Sequence, residues 1–236
     1  MNNSEQELPS GTLFVVSTPI GNLQDITLRA LHTLKGVDLI AAEDTRHSRG
    51  LLQHFGIDTP TTSYFDFNKE KKIPILVAQL ETGARIALIS DAGTPGISDP
   101  GFKLIRACIE KQITVIPIPG ATALIPALVT SGLPTDRFAF EGFLPVKKGR
   151  KTRLERLQSE TRTMIFYESP FRISRTLRDL HEYFGNRKVS IGREITKMFE
   201  ETVRGDLVDF CGEDPGFKQK GEFVIVVTGN IKQKEG

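Results

Sequence analysis

The sequence predicts an α/β protein in two domains: a mainly parallel N-terminal sheet, then a mixed C-terminal sheet, both with flanking helices. Three observations predict it. Through the first half, short apolar β-rich runs alternate with amphipathic segments and no hairpin turn joins them, which demands crossover connections. The register changes at PIPG, 117–120. In the last third the β-rich runs follow one another at hairpin spacing.

The elements follow in order. A strand at 13–16 runs into STPIGN at 17–22. Leu28, Leu31 and Leu34 recur at helical spacing, with Asp25 as the expected N-cap. A second strand covers 37–41, a short helix carries Leu51, Leu52 and Phe55, and a third strand covers 61–65. The next helix reaches Glu81 and contains Pro74, tolerable only near a first turn. Then come a strand at 85–90, a helix at 100–111 and a strand at 113–118. Past the register change, a helix is expected over 121–130, a strand at 137–140, a basic helix at 147–159, a strand at 164–167 and a helix at 170–183. Strands at 188–193, 200–204 and 222–228 complete the chain. The expected division is a frayed tail at 1–10, domains at 11–118 and 119–229, and a loose tail at 230–236.

Composition narrows the function classes. With 236 residues, 39% hydrophobic and 25% charged, the chain is long enough for two folded cores. No run approaches the roughly 20 apolar residues of a membrane span, and the first ten residues lack the apolar stretch of a signal peptide. Two cysteines exclude a disulfide framework and fit a cytoplasmic protein; four histidines without CxxC, HxH or HExxH give no reason to expect a metal. The net charge of +2 makes any argument for nucleic acid a local one.

The glycines exclude common cofactor sites. No G-x-G occurs, so the dinucleotide fingerprint is absent. Gly216 and Gly221 have P-loop spacing, but Glu222 stands where lysine is required. GISDPG at 96–101 is one residue too long for a serine nucleophile elbow. There remains SDAGTPGISDPG at 90–101, directly after an apolar strand, where open α/β sheets bind ligands. Its glycines allow close backbone approach, and Asp91 suits a cationic or hydrogen-bond-donating group. STPIGN and PGAT (119–122) offer similar chemistry, and parallel strands would gather all three loops at one sheet edge.

Taken together, TPIGNLxDIT, AAEDTR, SDAGTPGISDPG, PGATA, FYESP and GEFVIVV resemble the class III, tetrapyrrole-methylase-like family, in its branch acting on small-subunit ribosomal RNA. The resemblance covers about 11–228. It implies S-adenosylmethionine (SAM) held between two α/β domains, a homodimer, and 2′-O-methylation of a decoding-centre cytidine in 16S rRNA. Carried over residue by residue, the cofactor positions are Pro19, Asp91, Thr94, Thr122, Ala123, Tyr167, Glu168, Ile195 and Thr196. Where the tetrapyrrole enzymes usually have G-D-P, this chain has Ser90, Asp91 and Ala92, which favours the RNA branch.

A methyl donor matches the residues. Methyl transfer needs no metal and no covalent intermediate, only an acceptor oxygen held in line. A ribose hydroxyl profits from a general base. Glu43 and Asp44, with Arg46 in the same AEDTR run, are the catalytic candidates, Glu168 and Glu194 secondary ones. The alternative is a helix start capped by Asp44, with Arg46 paired to Glu43. KKGRKTRLER at 147–156 carries Lys147, Lys148, Arg150, Lys151, Arg153 and Arg156 against one Glu, anchored by Leu154 and Leu157. Such a segment neutralises phosphates, or is a solvated helix face. Phe65, Phe67 and Phe143 either stack on bases or pack locally. The low net charge favours an assembled small ribosomal subunit over naked RNA. A corrinoid-type acceptor, or a SAM-sensing protein without turnover, stays open.

Overall fold

The apolar β-branched runs at 12–16, 85–89 and 223–227 become central strands because they bury both faces. The computed structural model describes residues 7–212 and 214–230, so most of the expected tails lies outside the described residues. These pack as two units that divide between Thr122 and Ala123.

The first unit holds five parallel strands: β1 (Thr12–Val16), β2 (Leu39–Ala42), β3 (Thr61–Ser63), β4 (Arg85–Ile89) and β5 (Thr114–Ile118). Their order is β3-β2-β4-β1-β5. Side chains alternate across the sheet. Phe14, Val16, Ala87 and Ile89 face α1 (Leu28–Gly36) and α2 (Thr45–His54) through Ala30, Leu34 and Leu52. Leu13, Val15, Ile86 and Leu88 face α3 (Lys69–Glu81) and α4 (Gly101–Glu110) through Leu76, Leu80, Leu104 and Cys108. Leu8, in the expected N-terminal tail, packs on the first of these clusters.

Two local expectations are corrected. The cap of α1 is Thr27, whose side chain accepts the Ala30 N–H; Asp25 closes a 3-10 turn (Leu23–Asp25) one step earlier. Pro74 stands a full turn inside α3, and the helix persists because Leu76, Val77 and Leu80 are buried beyond it.

The second unit begins with α5 (Leu124–Thr130). The helix expected from 121 starts at Leu124, because 119–122 belongs to the first unit, where Ala121 accepts a hydrogen bond from Thr94 Oγ1 at 3.1 Å. Its sheet runs β6 (Phe138–Phe143), β7 (Thr163–Glu168), β10 (Phe223–Val227), β8 (Lys188–Arg193), β9 (Glu201–Asp206). Only β6 and β7 pair in parallel, with a register shift between Phe140 and Gly142. An isolated glycine in a strand pattern is the usual mark of such a bulge. One face packs on α6 (Arg150–Leu157) and α7 (Ile173–Phe184) through Phe166, Ile191, Ile225, Leu154 and Leu177. The other packs on α5 through Ile165, Val224, Val226 and Leu128.

Candidate active site

The strand order sets the site. β2, β4, β1 and β5 are successive neighbours, so the loops leaving their carboxyl ends lie side by side. Main-chain bonds stitch them together. Thr18 and Gly93 exchange bonds of 2.9 and 3.0 Å, and Ser17 N–H reaches Ile118 O at 3.2 Å. Gly93 makes its pairing at φ +82°, with a Cβ position only 3.3 Å from Ile20, so a side chain there is strained. Ser17 Oγ and Thr94 Oγ1 share a hydrogen bond of 2.9 Å.

Two strand ends present carboxylates. Glu43 follows β2 and Asp91 follows β4. Asp44 N–H donates to Asp91 Oδ1 at 3.0 Å, and Asp91 N–H donates to Glu43 Oε2 at 3.3 Å. This exchange continues the β2–β4 ladder by one step through side chains. Burial, and then the charges of Asp91, Asp99 and Asp66, push the Glu43 carboxyl above the usual carboxylate range; the Asp91 N–H partly offsets this. Asp44 behaves oppositely. It caps α2 by accepting the Arg46 N–H at 2.8 Å and pairs with the Arg46 guanidinium at 3.1 and 3.3 Å. These bonds hold Asp44 down to about 2. Arg46 is therefore paired with Asp44, not Glu43.

Pro19 and Asp91 line one concavity of about 180 Å³ with Gly21, Leu23, His47 and Leu51. Glu43, Asp44 and Arg46 line another, about 380 Å³, with Thr45, Ser63 and Phe65. Ser17, Ser63 and Tyr64 escaped the sequence reading of the site. Ser17 stood in a singled-out loop, but its bond to Thr94 spans 77 residues and leaves no local signal.

In the second unit, Ala123, Tyr167 and Ile195 meet on the α5 face of the sheet. Ala123 is the N-cap of α5, directly after Thr122. Tyr167 stands edge-on to Phe140 and Phe143, with centroids 4.9 and 5.7 Å apart. Thr196 has φ +71°, rare for a β-branched residue, and its buried Oγ1 has no hydrogen-bond partner among the described residues. Glu168 turns its buried carboxylate inward, accepting from Ser169 N–H at 2.8 Å and Thr176 Oγ1 at 2.7 Å, with Arg172 Nε at 3.3 Å. Only its main chain is left for a ligand. Burial raises Glu194, but the Glu222 N–H and Lys197 outweigh it and hold the carboxyl below its usual range. Both secondary candidates are thus engaged by neighbouring donors.

The basic segment divides. Lys147, Lys148, Lys151, Arg153 and Arg156 are exposed. Arg150 is not: it is 4% exposed, with Nε on Asp179 at 2.6 Å, Nη2 on Thr176 at 2.8 Å and Nη1 on Pro145 O at 3.3 Å. The expectation that Arg150 binds RNA is corrected. It occupies the face of α6 that also carries Leu154 and Leu157, at i, i+4 and i+7. Arg153 is half engaged by Glu141.

The family model for Tetrapyrrole (Corrin/Porphyrin) Methylases matches residues 12–210. Ribosomal RNA small subunit methyltransferase I of Pasteurella multocida (strain Pm70) is 53% identical over 231 residues, 95% of this chain and 82% of that protein. Its counterpart in Synechocystis sp. (strain ATCC 27184 / PCC 6803 / Kazusa) is 54% identical over 221 residues, 93% of this chain and 79% of that protein. The chain belongs to the tetrapyrrole methylase family, in its ribosomal RNA small subunit methyltransferase I branch. The family fold extends to remote members. Uroporphyrin-III C-methyltransferase from Thermus thermophilus, solved with S-adenosylhomocysteine, is 18% identical with a TM-score of 0.62, over 91% of this chain and 96% of that one. Both thiols are held protonated by their surroundings: Cys108 is buried and pushed up to about 11, and Cys211 is also raised by burial. No trio of His, Cys, Asp or Glu among the described residues could hold a metal, and no described helix is long and apolar enough to cross a membrane.

Proposed function

We propose that this protein transfers the methyl group of SAM to the ribose 2′-hydroxyl of a decoding-centre cytidine in 16S rRNA. It acts in the cytoplasm, as a homodimer, on the assembled small ribosomal subunit. The relatives' names support the RNA class, and the S-adenosylhomocysteine bound by a protein of the same fold supports the cofactor. The observation that carries the chemistry is Glu43: a half-buried carboxylate with a raised proton affinity at a strand end, beside a carboxylate that could take a cation.

The residues present fit SAM. Asp91 keeps Oδ2 available for an ammonium or ribose hydroxyls, beside the apolar surfaces of Pro19, Leu23 and Leu51. Thr94 and the turned main chain around Gly93 add polar groups. Thr122, at the end of the first unit, adds main-chain polar groups; in the second unit, Ala123, Tyr167 and Ile195 offer an apolar face for a purine, the main chain of Glu168 adds polar groups, and the unpartnered Thr196 Oγ1 is a group a ligand can satisfy. SAM supplies an electrophilic methyl on a positive sulfur. Glu43 takes the 2′-hydroxyl proton as the oxygen gains its bond to carbon; the carbon–sulfur electron pair stays on sulfur, giving S-adenosylhomocysteine. Asp44 and Arg46 hold the start of α2 and with it the Glu43 backbone.

Labelled SAM with unmethylated small subunits tests this. Label recovered in 2′-O-methylcytidine is expected; label in a corrinoid, or none anywhere, overturns it. Asp91→Ala is expected to weaken SAM binding at least about tenfold by calorimetry, since a charge-assisted bond contributes roughly 1.5–3 kcal/mol. Unchanged affinity would remove Asp91 from the site. Replacing Lys147, Lys148 and Lys151 together by Ala should leave SAM affinity intact and reduce the slope of log K against log salt by about two to three units. Arg153 and Arg156 flank the same patch and are expected to add to the slope. A wild-type slope in the triple variant would show a merely solvated face.

A further inference from the structure

Two phenylalanines beside Glu43 are presented to solvent by a loop that is anything but loose. Phe67 is 95% exposed and Phe65 37%. Their rings stand edge to face, with centroids 6.4 Å apart and planes at 63°. Apolar rings held in water forgo the stabilisation of burial, and two of them side by side form an apolar surface open to a partner.

The loop is pinned from both sides. Below it, Tyr64 is buried; its hydroxyl donates to Pro100 O at 3.2 Å and accepts the Leu104 N–H at 3.1 Å. Asn68 closes the turn, accepting the Phe65 N–H at 2.9 Å and donating to Ser63 O at 3.2 Å and Ser63 Oγ at 3.1 Å. The Asn68 and Lys69 N–H groups both reach Phe65 O at 3.0 Å. A side-chain amide and a buried phenol thus fix a half-buried ring, Phe65, and beside it Phe67, which itself buries almost nothing. That is the design of a preorganised contact, in which the ordering cost is met before the ligand arrives.

The chemistry next to the rings selects the ligand. The concavity of about 380 Å³ is lined by Glu43, Asp44, Thr45, Arg46, Ser63 and Phe65, with Asp44 already neutralised by its pairing to Arg46. Its size lies in the range of small-ligand sites, roughly 300–1,000 Å³. The Arg46 side chain is 87% exposed and among the described residues uses Nε and Nη2 on Asp44, leaving Nη1 for an anion. An aromatic face, a proton acceptor, hydroxyls and a guanidinium match, in turn, the base, the 2′-hydroxyl, the sugar oxygens and the phosphate of one nucleotide.

We infer that Phe65 and Phe67 are the stacking platform for an unstacked base of the RNA substrate, setting its ribose over Glu43 with Arg46 on the adjoining phosphate. This rests on the proposed methyl transfer only for the identity of the nucleotide; the platform itself is a binding surface. It acts on the acceptor alone, so SAM affinity is independent of it.

The test separates the two readings. A short oligoribonucleotide carrying a fluorescent cytidine analogue that is quenched on stacking is titrated onto the wild-type protein and onto Phe67→Ala, Phe65→Ala and Phe67→Trp. Quenching by the wild type, affinity lower by about tenfold or more in the alanine variants, and retention in Phe67→Trp are expected. Methyl transfer to small subunits is measured in parallel; there the alanine variants should raise KM with SAM Kd unchanged. Phe-dependent quenching without any methyl transfer supports the platform while overturning the proposed reaction. Equal quenching by all variants, or alanine variants that keep the wild-type KM on small subunits, overturns the platform. So does a change of oligomeric state in Phe67→Ala by sedimentation, which would assign the rings to a contact between copies of this chain.

Discussion

Glu43→Gln is expected to lower methyl transfer to small subunits by about 10²–10⁴-fold, the usual contribution of a general base. SAM binding should persist within a few-fold. The amide oxygen of glutamine can still accept the Asp91 N–H that Glu43 Oε2 now accepts at 3.3 Å, so the strand-end geometry survives while the proton acceptor is lost. The pH profile supplies the second readout. Burial and the charges of Asp91, Asp99 and Asp66 raise Glu43 above an ordinary carboxylate. A base works only when deprotonated, so wild-type kcat/KM should climb with unit slope as pH rises through that elevated value, then level off. Glu43→Gln should lack this limb. Asp44→Asn should keep it, because Asp44 is held at about 2 by Arg46 and stays ionised throughout the working range. A Gln variant within threefold of wild type, or one that keeps the acidic limb, would remove Glu43 from the chemistry.

Arg150→Ala carries the largest expected loss of stability, about 3 kcal/mol. The guanidinium is buried and divides its donors among Asp179, Thr176 and Pro145 O. Its removal strands Asp179, which retains only Arg175 at 3.7 Å, and breaks the chain of bonds running through Thr176 to the buried Glu168. Breaking one side of a buried pair typically costs about 3–5 kcal/mol; the residual Arg175 contact places this case at the lower end. That corresponds to a melting point lower by about 10 °C. Arg150→Lys should recover little, because one ammonium cannot serve three diverging acceptors. Lys151→Ala, one residue on and 75% exposed at its side chain, should change stability by no more than about 0.5 kcal/mol. The salt dependence of RNA binding, read well below the melting point, should be untouched by Arg150→Ala. The opposite pattern, a wild-type melting point with a flattened salt slope, would return Arg150 to the RNA surface.

Much of the site was legible because its residues lie where strands end. SDAGTP follows an apolar run, and the physics of parallel sheets places such a loop at the ligand edge whatever its neighbours are. AEDTR was legible as a strand exit but not as a division of labour. Glu43 and Asp44 are adjacent carboxylates in sequence. Only the neighbouring strand, arriving with Asp91, leaves Glu43 half-buried among like charges, while Arg46, on the same turn of helix, takes Asp44. Phe67 was legible as one of three aromatics that either stack on bases or pack locally; that it stands in solvent on a pinned loop depends on Tyr64 reaching Pro100 and Leu104, about 40 residues away.

Local pattern alone decided that this chain is α/β, where its strands run and that its last third is antiparallel, because alternation and helical spacing are properties of neighbours in sequence. It also decided which loops lack phosphate and dinucleotide fingerprints. Tertiary structure decided three things. It chose Thr27 over Asp25 as the cap of α1, because the chain turns at 23–25 before the helix begins. It separated Arg150 from the five other cations of its segment, because packing α6 on α7 buries one stripe of the helix and leaves the rest in water. And it set the acidity of Glu43, because desolvation and the field of three aspartates depend on chain segments that meet only in the fold.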